Sequence, residues 1–195
     1  LVDPDRIAIE RFIESPLAHP SVAFRRDVVL AAGGYEDGPF PEDYDLWLRL
    51  AGLGHRLAKV PDVLLRWREG PRRLSRTDPR YSADAFRRLK ARHLRTSFLA
   101  GRDAVQVCGA GPDAKAWGRV LEANGVRVLR HFDVDPRKVG GRIGGRTPVL
   151  AWSMVGAYRD VPMVCAVGVK GVRDDIRRDL DAVGWAEGAD YLFVQ

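Results

Sequence analysis

Gly38 to Leu50, GPFPEDYDLWLRL, is the stretch that decides how the first half of the chain reads. Glycine and proline deliver a Glu42-Asp43 pair to the start of an amphipathic helix. Leu46, Trp47 and Leu50 fall at i, i+1 and i+4, so the spacing predicts one buried stripe. Asp45 and Arg49 lie off that stripe, four apart, in the acid-then-base order that supports a helix. Pro41 suits the first helical turn. The three acids have two readings. Acidic side chains stabilise a helix N-terminus by about 0.3–1 kcal/mol each. The other reading makes Asp43 a general base at the rim of a cleft.

Upstream, DPDRIAIERFIE (residues 3–14) reads as a short helix with Asp3 as cap and Pro4 in the first turn. Ile7, Phe12 and Ile13 would form its buried side. LAHPSVAFRR (17–26) alternates Val22 and Phe24 with smaller or polar residues, which predicts a strand. His19-Pro20 opens it, and His19 is a candidate ligand contact. Residues 27–32 read as a short helix stopped by Gly33-Gly34. Downstream, HRLAKVPDVLLRWR (55–68) predicts two short strands or a bent one, with Pro61 at an edge. A basic loop follows to Tyr81, then a basic amphipathic helix from Ser82 to about Leu99. Residues 96–103 read as a boundary, giving domains at 1–100 and 101–195.

The chain has 195 residues, 46% of them apolar. Its mean hydropathy is -0.23. Those values predict a soluble protein with a real core. No apolar run approaches the roughly 18 residues that span a bilayer. No secretory leader is read at the N-terminus, and the expected location is cytoplasmic, with peripheral attachment to the inner membrane face as a variant. Leu1 rather than Met opens the chain, so an excerpt of a longer protein is expected. Cys108 and Cys165 sit in apolar runs and read as buried thiols. The four histidines show no metal-ligand spacing. Arg66 to Arg95 holds eleven basic and three acidic residues, a net +8 within a chain of +6. Such a belt points to phosphate or an anionic surface, or else to a solvated helix face.

The run AHPSVAFRRDVVLAAGGYEDGPFPEDYDLWLRLAGLGHRLAKVPDVLLRWR (18–68) resembles the C-terminal half of family 2 glycosyltransferases of the GT-A fold. The resemblance rests on FRR, a short helix into GGY, EDYDLWLRL, and the return through Gly54, Pro61, Val63, Leu64, Trp67 and Arg68. It covers roughly residues 5–100. It implies sugar transfer, with inversion, from a nucleotide-diphosphate sugar to a hydroxyl acceptor on a glycan or lipid. It makes Asp43 the base and Glu42 an orienting acid. It also implies a divalent metal, Mg or Mn, on an Asp-x-Asp motif of the N-terminal half. Asp3-x-Asp5 sits at a helix start and Asp133-x-Asp135 in the other domain, so neither is that motif. The donor half is therefore expected to lie outside these residues, and the chain alone is expected to be inactive. Arg72, Arg73 and Arg76 are candidates for a diphosphate or lipid-linked phosphate.

The second half alternates strands with helices: AVQVC, a glycine turn, a helix to about Asn124, Val126–Phe132, a hairpin into TPVL, Val161–Val167, a helix from Asp174 and a last strand at Tyr191. That alternation predicts a small doubly wound parallel sheet of Rossmann type. The whole chain is thus read as α/β, a partial GT-A-like half followed by a Rossmann-like domain. Gly109-x-Gly111-x-x-Ala114 fits a dinucleotide fingerprint, and Asp133 lies where a ribose-binding acid would be. The same half resembles the small N-terminal domain of hexapeptide-repeat sugar acyltransferases. That likeness implies Gly109, Gly111 and Asp133 as nucleotide contacts. Packing alone also explains such a turn. Trp117, Trp152 and Trp185 read as core or interdomain packing rather than ligand stacking. Two other function classes stay open: a non-catalytic nucleotide-binding module, and a basic module that meets a membrane surface. Nucleic acid is not an expected partner.

Overall fold

The computed structural model describes residues 2–68, 70, 73–169 and 171–195. The chain divides into two compact units, Leu1–His93 and Leu94–Gln195.

The first unit is built from helices and extended segments. Its helices are α1 (Pro4–Glu10), α2 (Arg26–Ala31), α3 (Glu42–Gly52), α4 (Leu74–Thr77) and α5 (Ala83–Thr96), the last running past the division. Asp3 caps α1 by accepting from the Asp5 N–H, with Pro4 in the first turn. The expected stripe of α3 is real: Leu46, Trp47 and Leu50 join Val29 in one core cluster, with Leu17, Val22 and Leu57 against it. Two strand expectations fail. Residues 17–26 hold a single 3-10 turn, His19–Ser21, then four residues without a ladder partner among the described residues, and Arg26 already begins α2. Residues 55–68 likewise hold no strand, with Val63 86% and Leu64 78% exposed. Strand propensity needs a neighbouring strand to accept its hydrogen bonds. Among the described residues every named strand lies in the second unit.

The second unit is α/β. Its strands are β1 (Ala104–Cys108), β2 (Arg127–Asp133), β3 (Arg142–Ile143), β4 (Thr147–Ala151), β5 (Met163–Cys165) and β6 (Tyr191–Phe193). The sheet order is β3-β4-β2-β1-β5-β6. Only β3 runs antiparallel, as the hairpin leading into β4. From β1 the chain passes through α6 (Pro112–Ala123) to β2 on one side, and it reaches β5 and β6 on the other. This is a doubly wound sheet whose order reverses at β1, the place where such sheets open a crevice at the strands' carboxyl ends. All five residues of β1 are buried, as parallel strands covered on both faces should be. The last helix, α7 (Val172–Ala182), buries Ile176 and Leu180.

Candidate functional site

In the first unit, the start of α3 gathers several polar side chains. Asp43 is half-buried, and its Oδ1 accepts the Tyr44 N–H at 2.7 Å. Burial pushes its carboxyl above the usual carboxylate range. The Tyr44 hydrogen bond opposes that shift, the Glu42 charge adds to it, and His19 lowers it. Both Glu42 oxygens accept from the Tyr81 hydroxyl, at 3.1 and 2.9 Å. Burial, and then that bond, hold the Tyr81 phenol well above its ordinary range. The His19 ring stacks on Tyr35 at 5.0 Å. Tyr35 stands edge-on to Trp47 at 6.4 Å. Burial raises the Tyr35 phenol, and both Asp43 and Glu42 raise it further.

The structure thus brings together His19, Glu42 and Asp43 of the expected site, and adds Tyr35 and Tyr81. Tyr81 lies 39 residues from Glu42, and no sequence pattern pointed to it. The Arg73 guanidinium lies 3.8 Å over the Trp67 ring. Arg76 is an exposed residue of α4. Arg72 lies outside the described residues.

Asp45 departs from the reading that set it off the buried face. It is fully buried and accepts from Arg49 Nε at 2.7 Å, from Arg92, and from His93 Nε2 at 2.9 Å. Arg49 in turn donates to the carbonyls of Ala32 and Gly34, tying the GGY turn to α3. The turn needs its glycines, since Gly33 and Gly34 have φ of 90° and 69°. The segment carrying Tyr35 is therefore fixed to the helix carrying Asp43 by one arginine. Tyr44, also fully buried, donates to the Arg11 carbonyl at 2.6 Å.

The resemblance implied a divalent metal. Among the described residues no group of three or more His, Cys, Asp or Glu side chains could hold one.

The second unit has a cavity of about 510 Å3 at the carboxyl ends of β1, β2 and β5. Gly109 and Gly111 line it, with Phe132, Asp133 and Trp152. Gly109 has a φ of 101°, and a Cβ there would meet Val167 and Ala114 at 3.2 and 3.3 Å. An added Cβ at Gly111 meets nothing within 4 Å. The Asp133 carboxylate makes three bonds within the protein. Its Oδ2 accepts the Ala110 N–H at 2.8 Å and Lys138 Nζ at 3.1 Å, and its Oδ1 accepts the Asp135 N–H at 2.9 Å. His131, buried beside it, bonds the Gly109 carbonyl through Nδ1 at 2.8 Å. Trp117 and Trp185 are core residues as expected, whereas Trp152 borders the cavity.

No protein-family model matches the chain. It is 47% identical over 58 residues to the amylovoran biosynthesis glycosyltransferase AmsE of Erwinia amylovora, a match covering 30% of this chain and 22% of that protein. An uncharacterized glycosyltransferase of Haemophilus influenzae is 41% identical over 61 residues, covering 31% and 22%. The O-antigen biosynthesis glycosyltransferase WbnJ of Escherichia coli is 54% identical over 33 residues, covering 17% and 13%. The chain spans about a fifth of the length of the first two relatives and less of the third. These partial matches support a glycosyltransferase-related function. Among solved structures, the Rex-family repressor RSP, alone and with β-NADH, aligns at a TM-score of 0.40 and 14% identity over 90% of this chain and 89% of that one. A likeness that low carries no argument here. No helix among the described residues is long and apolar enough to cross a membrane.

Proposed function

We propose that the first unit is the acceptor-side part of an inverting glycosyltransferase of GT-A type, with Asp43 as its catalytic base. The carrying observation is the half-buried carboxylate at the start of α3, its proton affinity raised by burial, set among His19, Glu42, Tyr35 and Tyr81. The glycosyltransferase relatives support the reaction class.

The step is a single displacement. The acceptor oxygen attacks the anomeric carbon while its proton passes to Asp43. The bond from that carbon to the diphosphate breaks, and the diphosphate leaves with the electron pair. A base with raised proton affinity takes that proton more readily near neutral pH, and such general-base catalysis contributes about 10^2–10^4-fold. Glu42, held by Tyr81, fixes the polar wall next to Asp43. Because the chain spans a fifth of its relatives, the complete reaction is assigned to the protein that carries this segment. Its partners are then a nucleotide-diphosphate sugar and a hydroxyl acceptor.

The test is to give that protein labelled nucleotide-diphosphate sugars with a hydroxyl acceptor and read the anomeric configuration of the product by NMR. Inversion relative to the donor is expected. A retained configuration, or no transfer from any nucleotide-linked sugar, overturns the reading.

A further inference from the structure

Tyr81 reaches the first unit's site from a turn that is tied down at both ends. Asp78 accepts the Arg80 N–H at 2.9 Å, Pro79 opens the 3-10 turn Pro79–Tyr81, and the Ser82 hydroxyl accepts the Ala85 N–H at 3.2 Å at the start of α5. The Tyr81 ring centre lies 6.5 Å from that of Phe86, and Phe86 lies 5.7 Å from the fully buried Tyr44 of α3. The start of α5 thus delivers the Tyr81 hydroxyl to Glu42, at 3.1 and 2.9 Å from its two oxygens. Burial, the Glu42 bond and the Asp43 charge all keep the phenol protonated, so it remains a donor.

One phenolic proton does not fill a carboxylate, which accepts at about four positions. Glu42 is half-buried, and among the described residues it has no other hydrogen bond and no cation partner. A carboxylate drawn partly out of water and short of donors favours a donor that a ligand brings. Asp43 follows directly in the chain, its Cα about 3.8 Å away. Both charges act on the same two phenols, Tyr35 and Tyr81. The base and the unfilled acceptor therefore share one corner of the site.

We propose that Glu42, oriented by Tyr81, selects the acceptor by taking a hydrogen bond from a second hydroxyl group next to the one that reacts at Asp43. This rests on Asp43 as the base. Its consequence is a substrate class: the acceptor is a polyhydroxylated ring such as a pyranose, and a single-hydroxyl alcohol such as a prenol is a poor one. A lone hydroxyl engages Asp43 and leaves Glu42 without its donor, which is how a polar site rejects an analogue that lacks one group. Tyr81 is a positioning residue, since it acts through Glu42.

The protein that carries this segment is assayed with labelled nucleotide-diphosphate sugars and the methyl pyranosides of glucose, galactose and mannose. Each reactive pyranoside is compared with its analogue lacking the hydroxyl next to the glycosylated position, and citronellol serves as the single-hydroxyl acceptor. A hydrogen bond to a charged group corresponds to about 10–100-fold, so kcat/KM should fall at least about tenfold on deoxygenation and further for citronellol. Glu42→Ala should bring the ratio of pyranoside to deoxy analogue near one. Tyr81→Phe should shrink that ratio several-fold and add nothing in the Glu42→Ala background. A native ratio near one, an unchanged ratio in Glu42→Ala, or transfer to citronellol at the pyranoside's rate overturns the proposal. Equal losses on both acceptors in Tyr81→Phe overturn its positioning role, because a purely structural tyrosine would act that way. The base reading fails separately. Native turnover in Asp43→Asn defeats it while the ratio still decides the role of Glu42, and no transfer to any acceptor defeats both.

Discussion

Asp45 is the first unit's fixed charge, enclosed by Arg49, Arg92 and His93. Burial alone would raise its carboxyl; the bonds from His93 and Arg49 overcome that and hold it down at about 2. Removing one member of a buried ionic network costs about 3–5 kcal/mol, because the partners lose their counter-charge. Asp45→Ala should therefore lower stability by about that amount in urea titrations. The sign of the pH effect follows from a depressed acid. Its stabilisation is complete above the unfolded pKa, about 3.9, and is lost as pH falls toward 2. Acid unfolding of the native chain should steepen in that window, and Asp45→Asn should flatten it.

Lys90 gives a slope of the same sign at the other end of the pH range. Burial depresses its ammonium to about 8, although it donates to the Ile13 carbonyl at 2.8 Å. Between pH 8 and about 10.4 the unfolded chain binds that proton and the folded one does not, so stability should rise across this window. Lys90→Met should abolish the rise. Neither residue stood out in the sequence. Asp45 looked like an exposed helix acid, and only its meeting with Arg92 and His93, some 47 positions on, buries it.

Among the elements, helices were legible wherever caps and stripes were local. The stripe of α3, the Asp3 cap of α1 and the glycine stop after α2 all follow from adjacent residues. The extended segments were not legible in the same way. Val63 and Leu64 have strand-forming character, but pairing depends on a partner that no local pattern supplies. The glycine loop was legible as a turn, whereas the bond from its Ala110 N–H to Asp133, twenty-odd residues away, was not. Its two glycines should respond differently to substitution. Gly109→Ala meets both a positive φ and close neighbours, and should cost more than about 1 kcal/mol. Gly111→Ala, with an ordinary φ and open space, should stay within about 0.5 kcal/mol. Thermal melts of the two variants check this.

At the scale of the whole molecule, the α/β character was carried by the strand-helix alternation after residue 104, which the six-stranded sheet follows closely. The basic belt was less informative than its count. Arg80, Arg88 and Arg92 have carboxylate partners in Asp78, Asp84 and Asp45, so much of the belt's charge is answered within the first unit. What the sequence did mark was the Glu42-Asp43 pair. What it could not mark were the groups around it, since Tyr81 and His19 reach it only through the fold. The account stands or falls on Asp43. The measurement is the pH profile of kcat/KM for sugar transfer by the protein that carries this segment, native against Asp43→Asn. The prediction is an acid limb above the ordinary aspartate value of about 3.9 in the native protein, and a loss of at least about 100-fold with no such limb in the variant. An Asp43→Asn protein that keeps native turnover, or keeps the limb, would contradict it.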